Sequence, residues 1–183
     1  MFEILDKVCQ PTRATEHSAG LDLYARENST IYSGATAIVK LGVKIDLNYI
    51  KNLTECKVAN FLNNNLILEH SEVLYNQFMK SHYIQLHPRS SLRAKGLIIG
   101  VGVIDLDFPG ELGLIVHNPL TLINYNISHE DNSNIISNLN TKAFNINKGD
   151  KIAQCILSTH QGPLLNIESN VTRIGGFGST DNK

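Results

Sequence analysis

Five short stretches of this chain hold residue types that can do chemistry together. Residues 88–92 read PRSSL, which puts a guanidinium, two hydroxyls and several backbone N–H groups in one turn. Arg89 can grip an anion bidentately while Ser90 and Ser91 add donors. The same residues also make an ordinary surface turn with a salt bridge. Residues 173–180 read RIGGFGST. The glycines let N–H groups converge on an anion, as in a nest, and Phe177 can lie flat on a planar ring; a frayed tail has the same composition. Residues 102–111, GVIDLDFPGE, set Asp105 and Asp107 two apart. Asp105 follows apolar residues and so falls at the mouth of a strand, where a carboxylate can orient a water and take its proton. A turn-capping aspartate is the plainer reading. In residues 19–25, AGLDLYA, Asp22 lies between Leu21 and Leu23. It is expected to point away from the core, most simply as an exposed strand residue. Residues 149–157, GDKIAQCIL, read as a turn leading into a strand. Gln154 there faces a ligand or is a satisfied polar group, and Cys155 reads as a small buried hydrophobe.

The elements that must position these stretches are mostly short strands. Residues 36–47 alternate Leu41, Val43, Ile45 and Leu47 against polar or small neighbours, the period of a half-buried strand. Further β-rich runs fall at 83–87, 97–104, 112–116 and 152–157, separated by Gly, Pro and Asn. The run 97–104 is apolar throughout with Gly100 and Gly102 inside it, and glycine within a strand marks close approach of a ligand or another backbone. Many short strands between turn signals predict an all-β sandwich or barrel. Two Asn-rich segments, 48–82 and 119–142, read as insertions. Val73, Leu74 and Phe78 lie at helical spacing and predict a short amphipathic helix over 69–79. The second segment, with little periodicity, is expected to be a mobile loop. Residues 172–183 are expected to form a flexible C-terminal arm.

Length and charge bound the rest. The 183 residues suit one domain spanning 1–183, and 42% hydrophobic residues make it globular. A net charge of −1 argues against a protein that coats nucleic acid, and no apolar run reaches the roughly 20 residues of a membrane span. No signal peptide is expected, so the compartment is read as intracellular, cytoplasmic or nuclear. Three cysteines without C-x-x-C spacing support neither a metal site nor a disulfide framework. Gly100 and Gly102 give G-x-G without the third glycine, no G-K-[ST] exists, and the histidines show no H-x-x-x-H spacing. Four N-x-[ST] matches, at Asn28, Asn52, Asn126 and Asn170, are expected by chance in so Asn-rich a chain. That richness in Asn and Ile is compatible with an AT-rich genome, including a viral one.

In this order and at these separations, the five stretches resemble the five sequence motifs of the trimeric dUTPase family, the deoxyuridine triphosphate nucleotidohydrolases. AGLDLYA is similar to the first motif, PRSSL to the second, GVIDLDFPGE to the third, GDKIAQ to the fourth and GGFGST to the fifth. The resemblance covers the chain from Phe2 to Thr180 apart from the two insertions. It implies an all-β, jelly-roll-like β-clip subunit. It also implies a homotrimer with active sites between subunits, each closed by a glycine-rich arm from a neighbour.

The resemblance further implies hydrolysis of dUTP to dUMP and pyrophosphate, which limits uracil in DNA. Asp105 matches the aspartate that activates the attacking water. Ile99, Gly102, Val103, Ile104 and Gly113 match a hairpin that recognises uracil through backbone groups. Phe108 stands where a Tyr usually packs on deoxyribose, and keeps that wall without the hydroxyl. Arg89, Ser90, Ser91 and Gln154 match phosphate contacts. Phe177, Gly178, Ser179 and Thr180 match the arm that stacks on uracil and wraps the γ-phosphate, with Arg173 beside them. Asp22 is implied to touch the water shell of a Mg²⁺ ion bound mainly by the phosphates. Such an ion answers a real cost, since two unit charges 4 Å apart interact by about 4 kcal/mol at an effective dielectric near 20.

Two departures stand out. Arg173 lies four residues before Phe177 instead of five, with Thr172 in the usual place, and Asp181 follows Thr180 where glycine is usual. Two other functions share the resemblance. The related dCTP deaminases need a glutamate five residues after the third-motif glycine, and Gly110 counts to Ile115, which shuttles no proton. A non-catalytic nucleotide-binding or signalling module fits the insertions and the shifted arginine, but leaves Asp105 without a use.

Overall fold

The computed structural model of the chain describes residues 1–59, 67–119 and 143–165. Strands dominate it. In chain order they are β1 (Phe2–Ile4), β2 (Leu21–Tyr24), β3 (Ser29–Ile31), β4 (Thr36–Lys40) and β5 (Val43–Ile45). Two helices follow, α1 (Leu47–Ala59) and α2 (Ile67–Ser81). Then come β6 (His82–Pro88), a single-turn α3 (Ser90–Ala94), β7 (Ile98–Ile99), β8 (Gly102–Asp105), β9 (Gly113–His117), β10 (Phe144–Ile146) and β11 (Lys151–Thr159).

Two antiparallel sheets carry the architecture. One runs β2-β11-β6-β8, the other β4-β9-β7; β1 pairs with β5 and β10 with β3. Alternation decides what each face buries. Ile84 and Leu86 of β6 sit opposite Leu157 and Cys155 of β11, and Leu23 of β2 sits opposite Ala153. From the second sheet Val39 faces Leu114 and Ile99 faces Val116. Nearly all of these side chains are buried in one hydrophobic cluster. Each such Val, Leu or Ile removed from water contributes about 1.5–3 kcal/mol.

The run 36–47 is not one strand. It breaks at Leu41–Gly42, because Gly42 holds φ +63° and a Cβ there would lie 2.5 Å from Cys9 Sγ. The Gly42 N–H donates to Glu111 Oε1 at 2.8 Å, and Glu111 Oε2 accepts from Arg26 Nη1 at 2.8 Å. That carboxylate ties the start of β9 to both neighbours. The run 97–104 also divides. Ile98–Ile99 joins β9, whereas Gly102–Asp105 joins β6 in the other sheet, so residues 100 and 101 cross between sheets. The hairpin expected around residues 99–104 and Gly113 is divided in the same way: β7 pairs with β9, which begins at Gly113, while β8 pairs with β6.

The first insertion holds two helices where one was expected. Asp46 Oδ1 accepts the Tyr49 N–H at 3.0 Å and caps α1. The helix expected over 69–79 is α2, two residues longer at each end. Tyr75, Phe78 and Met79 pack on the core, while Val73 and Leu74 are exposed. Phe78 faces inward as expected; Val73 and Leu74 do not. Apart from residue 119, the segment 119–142 lies outside the described residues, as do 172–183 and with them Arg173, Phe177, Gly178, Ser179 and Thr180.

Candidate active site

The junction between the two sheets leaves a cleft of about 230 Å³, smaller than the 300–1,000 Å³ common for larger ligands and suited to one planar ring. The crossover Gly100–Val101, then Gly102, Val103 and Ile104 of β8, form one wall. Phe108, Gly113, Leu114 and Ile115 complete it, with Leu86 at the base. Of the residues expected to hold base and sugar, Gly102, Val103, Ile104, Phe108 and Gly113 share this lining. Ile99 does not. It faces the core at 7% exposure, because β7 turns its side chain toward Val116. Gly100 and Val101, inside the stretch 99–104 expected at uracil, line the cleft too, and Leu86, Leu114 and Ile115 line it without having been picked out for base or sugar.

Glycine serves two ends here. A Cβ on Gly100 would meet nothing within 4 Å, so the main chain there faces open space, whereas one on Gly102 would touch Leu86 Cβ at 3.4 Å. A backbone that borders a cleft without side chains in front of it can offer its N–H and C=O groups to a ligand.

Asp105 ends β8, two residues after Val103. Both are exposed on the face of the first sheet that looks away from the core. Asp105 stands directly opposite Tyr83, and Val103 opposite Gln85. On that face of β6 the Gln85 amide donates to the Tyr83 hydroxyl, and Gln85 Oε1 lies 2.9 Å from His87 Nε2. A polar stripe thus runs along β6 from the Asp105 end to the strand's other end.

At that other end lies a second cluster, built around Asp22. Gln154 of β11 sits opposite Asp22 on one side and His87 on the other. Its Nε2 donates to Asp22 Oδ1 at 3.1 Å, and Lys151 Nζ donates to Oδ2 at 3.2 Å. Arg89 Nε lies 4.0 Å from Oδ1. The Asp22 side chain points away from the core, as its flanking leucines predict, but it is only 1% exposed. The expected solvent-facing residue is instead roofed by long polar side chains that the fold brings from β6 and β11. Burial alone would raise its pKa. The hydrogen bonds from Gln154 and Lys151 and the nearby Arg89 charge outweigh that and hold the carboxyl below its ordinary value. Lys151 is raised in turn, chiefly by its hydrogen bond to Asp22.

Lys151 escaped the sequence reading because residues 151 and 154 fall on opposite faces of a regular strand. A register shift between Lys151 and Ala153 puts both on Asp22. Ser90 and Ser91 are exposed at the start of α3, beside Arg89, whose N–H donates to the Ile152 carbonyl at 3.0 Å. Cys155 is buried as expected, and burial pushes its thiol up to about 11, so it is inert.

The two clusters do not meet within one chain. From His87 to Tyr83 is about 13 Å along β6, and from β2 to β8 is three strand spacings, so Asp22 and Asp105 lie about 20 Å apart. Among the described residues no three His, Cys, Asp or Glu side chains gather to cage a metal ion.

An all-β protein of the jelly-roll-like β-clip kind, with a ring-sized cleft and a separate cationic cluster, is the class these features define. Comparison with known proteins narrows it. The dUTPase family model matches residues 68–128. The deoxyuridine 5'-triphosphate nucleotidohydrolase of Yarrowia lipolytica is 30% identical over 177 residues, covering 93% of this chain and 80% of that one. The enzyme of the same name from variola virus is 29% identical over 175 residues, covering 93% and 84%. Among solved structures, the dUTPase of Streptococcus mutans superposes with a TM-score of 0.52 at 22% identity, covering 86% of this chain and 94% of that one. The dUTPase of phage phi11 of S. aureus gives 0.56 at 18% identity, covering 98% and 97%. A mutant of that phage enzyme, described as coordinating a structural Mg(II) ion, gives 0.54 at 16%, covering 97% of each chain. The chain belongs to the dUTPase family.

Proposed function

We propose that this protein hydrolyses dUTP to dUMP and pyrophosphate, as a homotrimer whose active sites each draw on more than one chain. The observation that carries this is the ring-sized cleft walled by backbone at Gly100 and Gly102 and by the Phe108 ring, whose lining residue Ile104 precedes Asp105 in β8. Uracil would enter the cleft and pair with main-chain groups. Cytosine, with its donor and acceptor exchanged, would leave buried groups unpaired, and thymine's methyl would meet the wall. Phe108 would pack on deoxyribose and leave a 2'-hydroxyl without room or partner.

Asp105 would then hold a water and take its proton. The water oxygen bonds to the α-phosphorus, the α–β bridging bond breaks, and pyrophosphate leaves with the bond electrons. The phosphates need cations, and those of the Asp22 cluster lie too far from Asp105 in the same chain. The cluster of a neighbouring chain would supply Arg89, Ser90, Ser91 and Gln154, which supports a site shared between subunits. The C-terminal residues Arg173, Phe177, Gly178, Ser179 and Thr180 would close over base and γ-phosphate.

A Mg²⁺ ion fits this donor set, since magnesium takes its oxygens from phosphate and water and needs no protein cage. When bound it supplies neutralisation of phosphate charge. Asp22 is the residue that would face its water shell, and a lone pair on each oxygen remains beyond the hydrogen bonds from Gln154 and Lys151. Deamination gains no support, because Ile115 presents an apolar side chain to the cleft.

Pyrophosphate release measured side by side with dUTP, dTTP, dCTP and UTP tests the reading. Turnover confined to dUTP, abolished by Asp105→Asn with binding retained, is expected. Binding without turnover in the unaltered protein would mean a nucleotide-binding module, and ammonia from dCTP a deaminase.

A further inference from the structure

The Asp22 cluster holds more than a contact to a metal's water requires. The carboxylate is 1% exposed and already accepts from Gln154 on one oxygen and Lys151 on the other. A carboxylate near a triphosphate is also electrostatically unfavourable by itself. Its neighbours explain why it is kept. Arg89 and Gln154, two of the proposed phosphate donors, sit on flexible side chains that arrive from different strands, and Asp22 is the group both of them face. Arg89 leaves β6 with its N–H bonded to Ile152, so its backbone is fixed there, and its guanidinium lies beside Asp22, with Nε 4.0 Å from Oδ1. Lys151 lies over the Tyr24 ring, 5.7 Å from its centre, and closes the solvent side of the carboxylate. The Tyr24 hydroxyl is 2.6 Å from Thr12 Oγ1, and Thr12 bridges Asp22 through the backbone, so the aspartate is braced from behind as well.

We propose that Asp22 is a positioning residue: a buried anion, lidded by Lys151, that pre-orients Arg89 and Gln154 for the phosphate chain before any metal ion binds. This rests on the dUTP reading above and deepens it. Binding energy spent on ordering flexible donors is lost to affinity, so donors fixed in the free protein bind an anion more tightly.

The test turns on a sign. Asp22→Asn removes a negative charge from the neighbourhood of a polyanion, and electrostatics alone would tighten binding. The positioning role predicts the reverse. Affinity for a non-hydrolysable imido analogue of dUTP, titrated in EDTA, should fall about tenfold or more, the scale reached when partners behind binding groups are removed. Combined with Arg89→Lys, the two losses should be less than additive. Unchanged or tighter metal-free binding by a variant that still melts cooperatively would overturn the proposal. Should Asp22→Asn fail to fold, the unaltered protein decides. The Gln154 side-chain amide signals, assigned by their loss in Gln154→Met, should be restrained without ligand; free averaging would overturn the proposal. An unaltered protein that ignores the analogue would instead sink the dUTP reading, while the Gln154 signals still report on the Asp22 hub.

Discussion

Phe108→Ala separates the two jobs of one ring. The side chain is 7% exposed, lines the cleft and abuts Gly110, where a Cβ would lie 2.8 Å from the ring. Truncating a buried Phe costs about 3–5 kcal/mol from lost transfer energy and the void left behind. In a chain of this size each kcal/mol lowers the melting temperature by about 2–4 °C, so a drop of about 6–20 °C is expected. The second job is discrimination. A 2'-hydroxyl pressed against an apolar wall without a partner costs about 1–3 kcal/mol, or 10–200-fold. With the wall gone, the ratio of kcat/KM for dUTP over UTP should shrink by a factor in that range. Phe108→Leu, which keeps much of the volume, should recover most of the stability and part of the ratio, and Phe108→Tyr should leave both close to the parent. The assay is pyrophosphate release with each nucleotide, paired with a thermal melt. If Phe108→Ala melts early and yet discriminates as well as the parent, the ring is a core residue only and the sugar wall lies elsewhere.

Gly100→Ala should do the opposite, leaving the melting temperature unchanged because its Cβ would meet no protein atom within 4 Å, while raising KM for dUTP by crowding the cleft; a thermal melt and steady-state kinetics check both halves. Acid should expose Asp22. Its folded pKa is lowered, so the stability it contributes is complete above the ordinary value of 3.8 and drains away as pH falls through the lower folded value. A urea midpoint followed from pH 6 down to 2 should therefore decline less steeply for Asp22→Asn than for the parent.

How much of this could be read from the sequence depended on whether the deciding contact was local. β6, β9 and β11 were legible because short β-rich runs set off by Gly, Pro and Asn are a local signal. Residues 97–104 were misread as one strand since a uniformly apolar run carries no period, and nothing in it says that Ile99 and Gly102 belong to different sheets. α1 was missed because Asn-rich residues lack a strong apolar stripe; Asp46, three residues before Tyr49, was the one available start signal. At the site, the order and spacing of the five motifs brought Asp105, Arg89 and Gln154 into view. The burial of Asp22 and the part of Lys151 stayed hidden, because the first depends on side chains far off in sequence and the second on a strand irregularity that reverses which face residue 151 occupies.

The roughly 20 Å between Asp105 and Asp22 bears on inheritance as much as on chemistry. If each site borrows its two halves from different chains, a chain damaged at Asp105 and another damaged at Arg89 are broken in complementary places. Folded together, they would assemble some sites with both halves intact and recover activity that neither has alone. The same arrangement makes one defective chain costly to its neighbours, since it spoils sites it does not wholly own. A population of mixed alleles would then behave neither as the sum of its chains nor as the worst of them.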